Sequence, residues 1–209
     1  MVRVVRSLLL GIVLALGLGG LAQAGDPARE QSTKADPFPV QLGGPFDLID
    51  HNGDRRTEKD FLGRHLLVFF GYANCPGICS AALPSMAAAV DGLGDAGEQV
   101  QPVLITVDPE WDTPEEMRRV LSEIHPRILG LTGEEEDLAA VREAYQIEFS
   151  KVGDDIFGKP IYSHGGYVYL MGPDGTLETI LPPILSAEAM AEIIRGYIVP
   201  PSNEVRQGT

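Results

Sequence analysis

Phe69-Phe70-Gly71-Tyr72-Ala73-Asn74-Cys75-Pro76-Gly77-Ile78-Cys79 contains both cysteines of the chain, and its reading decides the fold. The run Leu66 to Tyr72 is continuous and apolar, as expected of a strand buried on both faces. Ile78 to Leu93 after it is compatible with a helix. Two thiols at a strand-to-helix turn form a reactive or metal-binding pair more often than a structural staple. A helix N-terminus favours thiolate over thiol, and the thiolate is both the nucleophile and the metal ligand. One bridge across so short a loop would constrain little of the unfolded chain, so stabilisation by a disulfide is not what the spacing suggests.

Outward from this stretch the elements alternate. Upstream, Phe46 to Asp50 and Arg55 to Thr57 flank Asn52-Gly53, a hairpin signal. Downstream, Val100 to Val107 is a second buried run. Thr113, Pro114 and Glu116 mark a helix start: a capping hydroxyl, a proline at the first position, and an acid three residues after the cap. Glu134 to Tyr145 reads as a helix with acids in its first turn and Leu138, Val141 and Tyr145 on one face; Glu134-Glu135-Glu136-Asp137 is its start and not a metal site. Gly166 to Met171 and Thr176 to Leu181 form a hairpin across Pro173-Asp174-Gly175, and Ser186 to Tyr197 is a closing amphipathic helix. This order predicts an α/β thioredoxin-like sandwich, a mixed sheet flanked by helices, with an N-terminal β-hairpin. Pro84 falls inside the first main helix, as is common in thioredoxins.

The N-terminus suggests export. Arg3 and Arg6 form a basic region, Leu8 to Leu21 an apolar core, and Ala22-Gln23-Ala24 a small-x-small cleavage signal. The apolar stretch falls short of the ~20 residues preferred by a spanning helix. We therefore expect residues 1–24 to be a signal peptide, 25–42 a linker, 43–199 one thioredoxin-like domain and 200–209 a flexible tail. The localisation expected is periplasmic, with a membrane anchor as the alternative. The chain carries 16 basic and 30 acidic residues, a net charge of −14. Two of the basic residues and none of the acidic ones lie in the first 24, so the remainder is more acidic still. Such a surface excludes binding to nucleic acid or anionic lipid as the main task.

The cysteine spacing narrows the chemistry. Thioredoxin motifs have two residues between the thiols, and this chain has three. A helical i, i+4 relation puts both sulfurs on one face with Cα atoms about 6 Å apart, close enough for a disulfide or for a two-sulfur clamp. Two soft thiolates suit copper(I), and zinc less selectively, but a third donor is then required. Of the four histidines, His51 sits in a turn and reads as solvated, His65 opens a strand, and His125 ends a helix. His164 follows the polar stretch Gly153 to Pro160 and precedes Gly165-Gly166, so it reads as a loop histidine able to approach the cysteines. Asp108 and Asp112, flanking Trp111, read as turn and cap residues, and Tyr72 as a packing residue with its hydroxyl bonded.

Gly71-Tyr72-Ala73-Asn74-Cys75-Pro76-Gly77-Ile78-Cys79 resembles the Gly-Tyr-x-x-Cys-Pro-x-x-Cys signature of the Sco/SenC family. Val103-Leu104-Ile105-Thr106-Val107-Asp108-Pro109-Glu110-Trp111-Asp112-Thr113-Pro114-Glu115 is similar to that family's Ile-Thr-Val-Asp-Pro-x-x-Asp-Thr-Pro block. Leu129 to Gly133 and Tyr162-Ser163-His164 through Gly175 resemble further blocks in the right order. The resemblance spans Gly43 to Tyr197. It departs from the family's usual pattern at Gly77, Ser80 and Ser163, and in the expected loss of the membrane anchor. It implies a copper ion bound by Cys75, Cys79 and His164, in a chaperone that helps metallate the binuclear copper centre of cytochrome c oxidase. The implied partner is the copper-receiving oxidase subunit or another copper chaperone, with the membrane reached only through that partner or an uncleaved anchor.

Three readings follow. A metallochaperone needs His164 as much as either cysteine. A thiol-disulfide oxidoreductase acting on a partner's copper-binding cysteines needs the redox pair Cys75 and Cys79 and tolerates loss of His164. A peroxidase or redox sensor needs one dominant nucleophilic thiol with a nearby Thr and Arg, and no Arg lies near the motif in sequence.

Overall fold

A computed structural model describes residues 41–75 and 77–198. The expected signal peptide (1–24), all but the last two residues of the linker (25–42) and the tail (200–209) lie outside the described residues. In chain order the strands are β1 (Asp47–Asp50), β2 (Arg55–Thr57), β3 (His65–Gly71), β4 (Val100–Thr106), β5 (Leu129–Thr132), β6 (Phe149–Asp154), β7 (Pro160–His164), β8 (Val168–Met171) and β9 (Leu177–Leu181). The helices are α1 (Cys79–Gly92), α2 (Pro114–Ile124), α3 (Glu135–Ala144) and α4 (Ala187–Ile198). No helix among the described residues is long and apolar enough to cross a membrane.

Every residue of β3 is buried, because both of its faces are covered. Leu67 and Phe69 belong to a core shared with Leu83 and Met86 of α1, Met117 and Leu121 of α2, and Met190 and Ile194 of α4. Leu66, Val68 and Phe70 belong to a second core with Leu48 of β1 and Leu138 and Val141 of α3. The period-two alternation of a strand sends neighbours to opposite layers, so an unbroken apolar run is what a central strand requires. The seven-stranded sheet runs β2-β1-β5-β4-β3-β8-β9. It is mixed: β4 lies parallel to β3 and β5, whereas β8 is antiparallel to β3 and β1 to β5. The α/β sandwich expected from the sequence is the fold observed.

Local signals mostly hold. The β1–β2 hairpin turns at Gly53 with φ of 90°, and the buried Asp50 locks it by accepting from the backbone N–H of Asn52 (2.8 Å) and from Arg56 Nε (2.8 Å). Gly175, with φ of 80°, turns β8 into β9. Thr113 caps α2 by accepting from the Glu116 N–H at 3.3 Å. The Glu116 carboxylate does not turn back to the cap as a capping box would. It accepts from Asn74 Nδ2 at 2.8 Å and pairs with Arg119, tying the start of α2 to the turn that carries Cys75.

One expectation is corrected. The polar stretch Gly153 to Pro160 is mostly a turn, as read, but it joins β6 and β7 in an antiparallel ribbon outside the main sheet, and His164 is the last residue of β7 and not a loop residue. The ribbon is solvated over most of β6, so backbone pairing builds it without an apolar alternation to betray it.

Candidate metal centre

Cys75, Cys79 and His164 converge. Their donor atoms all lie within 4.8 Å of one another, and they are the group of this kind found among the described residues. Cys79 Sγ stands 3.8 Å from His164 Nε2. The two cysteines do not share a helix, contrary to the spacing argument. Cys75 stands in the turn after β3, with its N–H bonded to the Tyr72 carbonyl at 3.2 Å, and Cys79 is the first residue of α1. Nor is the pair exposed at the helix end as expected: Cys75 is half-buried and Cys79 is 1% exposed. Both are free thiols.

Gly71 makes the burial of Cys79 possible. A Cβ at Gly71 would lie 2.8 Å from Cys79 Sγ and 2.9 Å from the Phe69 ring, closer than real Cβ atoms come. An isolated glycine at the end of a strand run is a recognised sign of close approach, and here the approaching atom is a sulfur. His164 is aimed by its surroundings. Its ring meets Phe69 and Tyr72 edge-on, each at 6.1 Å between centroids. Its Nδ1 is 3.1 Å from the Gly165 carbonyl. A carbonyl only accepts, so Nδ1 carries the proton and Nε2 presents its lone pair to the sulfurs.

The ribbon that brings His164 is held from below. Tyr162 stacks on Phe149 at 5.1 Å and donates its hydroxyl to Asp108 Oδ1 at 3.3 Å, while Arg142 lies over the Phe149 ring at 4.5 Å. Asp112 is 1% exposed, and its Oδ2 accepts from the Ala73 N–H at 2.9 Å and the Thr106 hydroxyl at 2.6 Å. Asp108 and Asp112 are therefore turn residues, as read from the sequence, but buried ones that serve the site's frame. The other histidines stay apart. His51 is not simply solvated: its Nδ1 accepts from the Gly130 N–H at 3.0 Å, and burial pushes its pKa down. His65 lies 3.3 Å from Glu178, and His125 lies 3.0 Å from Asp91 at the end of α2.

The electrostatics separate the two thiols. The hydrogen bond from the Cys79 thiol, with the N–H groups of Cys79 and Gly77, holds Cys75 far below the usual thiol range despite partial burial. The same bond, with burial and the Cys75 charge, pushes Cys79 far above it. The two thiols are thus driven apart, Cys75 toward the thiolate and Cys79 toward the neutral thiol. Burial and the neighbouring Cys75 charge push Tyr72 up as well, so it remains a neutral hydroxyl beside the sulfur. In chemical terms the arrangement is a soft, two-sulfur, one-nitrogen clamp that also contains a dithiol.

Burial pushes Asp112 up to about 6, against the bonds from Thr106 and Ala73. Between its unfolded value near 3.8 and about 6 the folded chain holds the extra proton, so this group's contribution to stability is present at low pH and is lost as pH rises through about 6. Denaturant melts of the chain and of Asp112→Asn between about pH 4 and 6 should show the difference. The original chain should lose stability relative to the variant as pH rises, and parallel profiles would contradict the assignment.

Comparison with known proteins agrees with this geometry. The SCO1/SenC family model matches residues 34–199. Protein sco1 of Schizosaccharomyces pombe is 38% identical over 160 residues, 75% of this chain and 61% of that protein. The human mitochondrial SCO1 homolog is 35% identical over 174 residues, 79% of this chain and 58% of that protein. The chain thus spans about three-fifths of the length of these curated relatives. Bradyrhizobium japonicum ScoI with copper bound matches at TM-score 0.69 and 33% identity, over 75% of this chain and 99% of that one. Yeast Sco1 with copper bound matches at TM-score 0.67 and 32% identity, over 81% and 96% of the two chains. Strand order, cysteine turn, ribbon histidine and sequence likeness converge, and the chain belongs to the SCO1/SenC family.

Proposed function

We propose that this chain is a copper metallochaperone that binds one copper ion through Cys75, Cys79 and His164 and helps assemble the copper centre of cytochrome c oxidase. The observation that carries the proposal is the convergence of two sulfurs and one imidazole nitrogen within 4.8 Å. The donor set fits the ion: thiolates select soft copper(I), neutral imidazole binds both oxidation states, and three donors complete a trigonal site. Cargo must also be released, and the turn carrying Cys75 is the half-buried side through which a recipient's donors can replace those of this chain. The copper-bound relatives and the family resemblance support the same reading. The recipient is the copper-receiving oxidase subunit or a further copper chaperone. The pattern Arg3, Arg6, Leu8 to Leu21, Ala22-Gln23-Ala24 supports export to a periplasmic compartment, with residues 1–24 as the signal peptide.

One observation favours a second activity in the same pair. Cys75 is the half-buried thiol and Cys79 the buried one beside it, with the Cys75 pKa drawn down by its neighbour, the pattern of an attacking cysteine beside its resolving partner. In that reading Cys75 attacks a partner's disulfide and Cys79 displaces the partner's thiol. The pair here is oxidised to a disulfide, and the partner's pair gains two electrons and leaves as a dithiol.

Copper(I) titration of the full chain tests the primary reading. A sulfur in a disulfide cannot donate as a thiolate. The reduced chain should therefore take up one ion, and the chain oxidised at Cys75 and Cys79 should take up none stoichiometrically. Equal uptake by both forms would refute the site.

A further inference from the structure

We propose that Asp112 is the positioning residue for Cys75: its buried carboxylate clamps the backbone of the Tyr72–Cys75 turn to β4, holding the Cys75 sulfur beside Cys79 and His164 in the metal-free chain. The role deepens the copper-binding reading and rests on it for its biological meaning. Its geometry stands independently.

Two segments far apart in sequence meet at one oxygen. Asp112 Oδ2 accepts from the Ala73 N–H, two residues before Cys75, and from the hydroxyl of Thr106, the last residue of β4. The acceptor is itself fixed, because the Asp112 N–H is bonded to the Asp108 carbonyl at 2.9 Å and Thr113 next to it caps α2. The turn has other ties, but they differ in kind. The bond from the Cys75 N–H to the Tyr72 carbonyl is local and moves with the turn. The Asn74 to Glu116 bond lies at the surface, where water competes for both groups. Asp112 is the buried, charge-assisted link between the cysteine turn and the sheet. A metal ligand on an unclamped turn would have to be ordered when the ion binds, and that ordering cost would be subtracted from affinity. The groups supporting a ligand commonly carry 10–100-fold in metal affinity, and about 10-fold is the expectation here.

The alternative is that Asp112 merely satisfies a buried N–H and stabilises the whole domain. Two readouts on the full chain separate the roles: copper(I) affinity by chelator competition, and the rate at which iodoacetamide modifies Cys75 in the reduced, metal-free chain. Circular dichroism establishes folding in parallel. Asp112→Ala, folded, should bind copper(I) about 10-fold more weakly and change the Cys75 alkylation rate. Asp112→Asn, which keeps an oxygen for the Ala73 N–H, should recover most of both. If Asp112→Ala does not fold, Thr106→Val carries the test by removing the hydroxyl that holds the same oxygen, with the same directions and smaller size. Unchanged affinity and alkylation in a folded variant would overturn the role. So would unfolding of both variants, because the clamp would then serve the whole fold. If the parent chain takes up no copper(I), the function proposed above fails, and the alkylation rates still decide the role of Asp112.

Discussion

His164→Ala is expected to weaken copper(I) binding by at least about 10-fold, more than removal of a group that only supports a donor. The imidazole is one of the three proposed donors, and its Nε2 lone pair is already turned to the sulfurs by the Nδ1–H bond to the Gly165 carbonyl. No other histidine can take over, since His51, His65 and His125 are engaged with Gly130, Glu178 and Asp91. The variant should fold, because His164 is a half-buried residue at the end of a two-stranded ribbon outside the main sheet and not a core-strand residue. Its dithiol-disulfide potential should change comparatively little, because imidazole is not part of that couple. Chelator competition and a glutathione redox titration measure the two halves. Copper affinity equal to that of the parent chain would remove the chaperone reading and leave the oxidoreductase one.

Gly71→Ala carries the second large effect, on stability and site together. The new Cβ would stand 2.8 Å from Cys79 Sγ and 2.9 Å from Phe69 Cε1. Neither neighbour can retreat cheaply. Phe69 is fully buried and pairs with β4 and β8, and Cys79 begins α1 with Ala82 and Leu83 packed behind it. Overpacking of this kind costs about 1–3 kcal/mol. The strain falls on a proposed copper donor and on a ring packed against His164, so copper(I) affinity should drop along with stability. A denaturant melt beside a copper titration is the check. A variant with unchanged midpoint and unchanged affinity would show that the site is looser than these distances require.

The family block around Trp111 illustrates what a motif conveys and what it hides. Asp108 and Asp112 are legible as turn and cap residues because Asp before Thr-Pro is ordinary turn chemistry. That Asp112 reaches the Ala73 N–H, 39 residues earlier in sequence, is invisible in the string. Gly71 shows the reverse. A glycine ending an apolar strand is a visible warning of close approach, but the approaching atom could not be named before α1 was packed.

The sequence by itself determined the central strand, the helix starts and the two hairpins, and its motifs named the three residues that converge at the candidate site. Those features rest on local rules: alternation, capping, turn residues, and a recognisable set of motifs in a fixed order. Tertiary structure alone decided that Cys79 is buried while Cys75 is half-exposed, and that Cys75 lies outside the helix. It also decided that His164 arrives on a paired strand instead of a loop. Burial and thiol chemistry depend on which groups from distant segments fill the space around a residue. The β6–β7 ribbon is held by backbone pairing, by the Phe149–Tyr162 contact within it, and by Tyr72 and Arg142 of the body, and none of these leaves an apolar period in the chain.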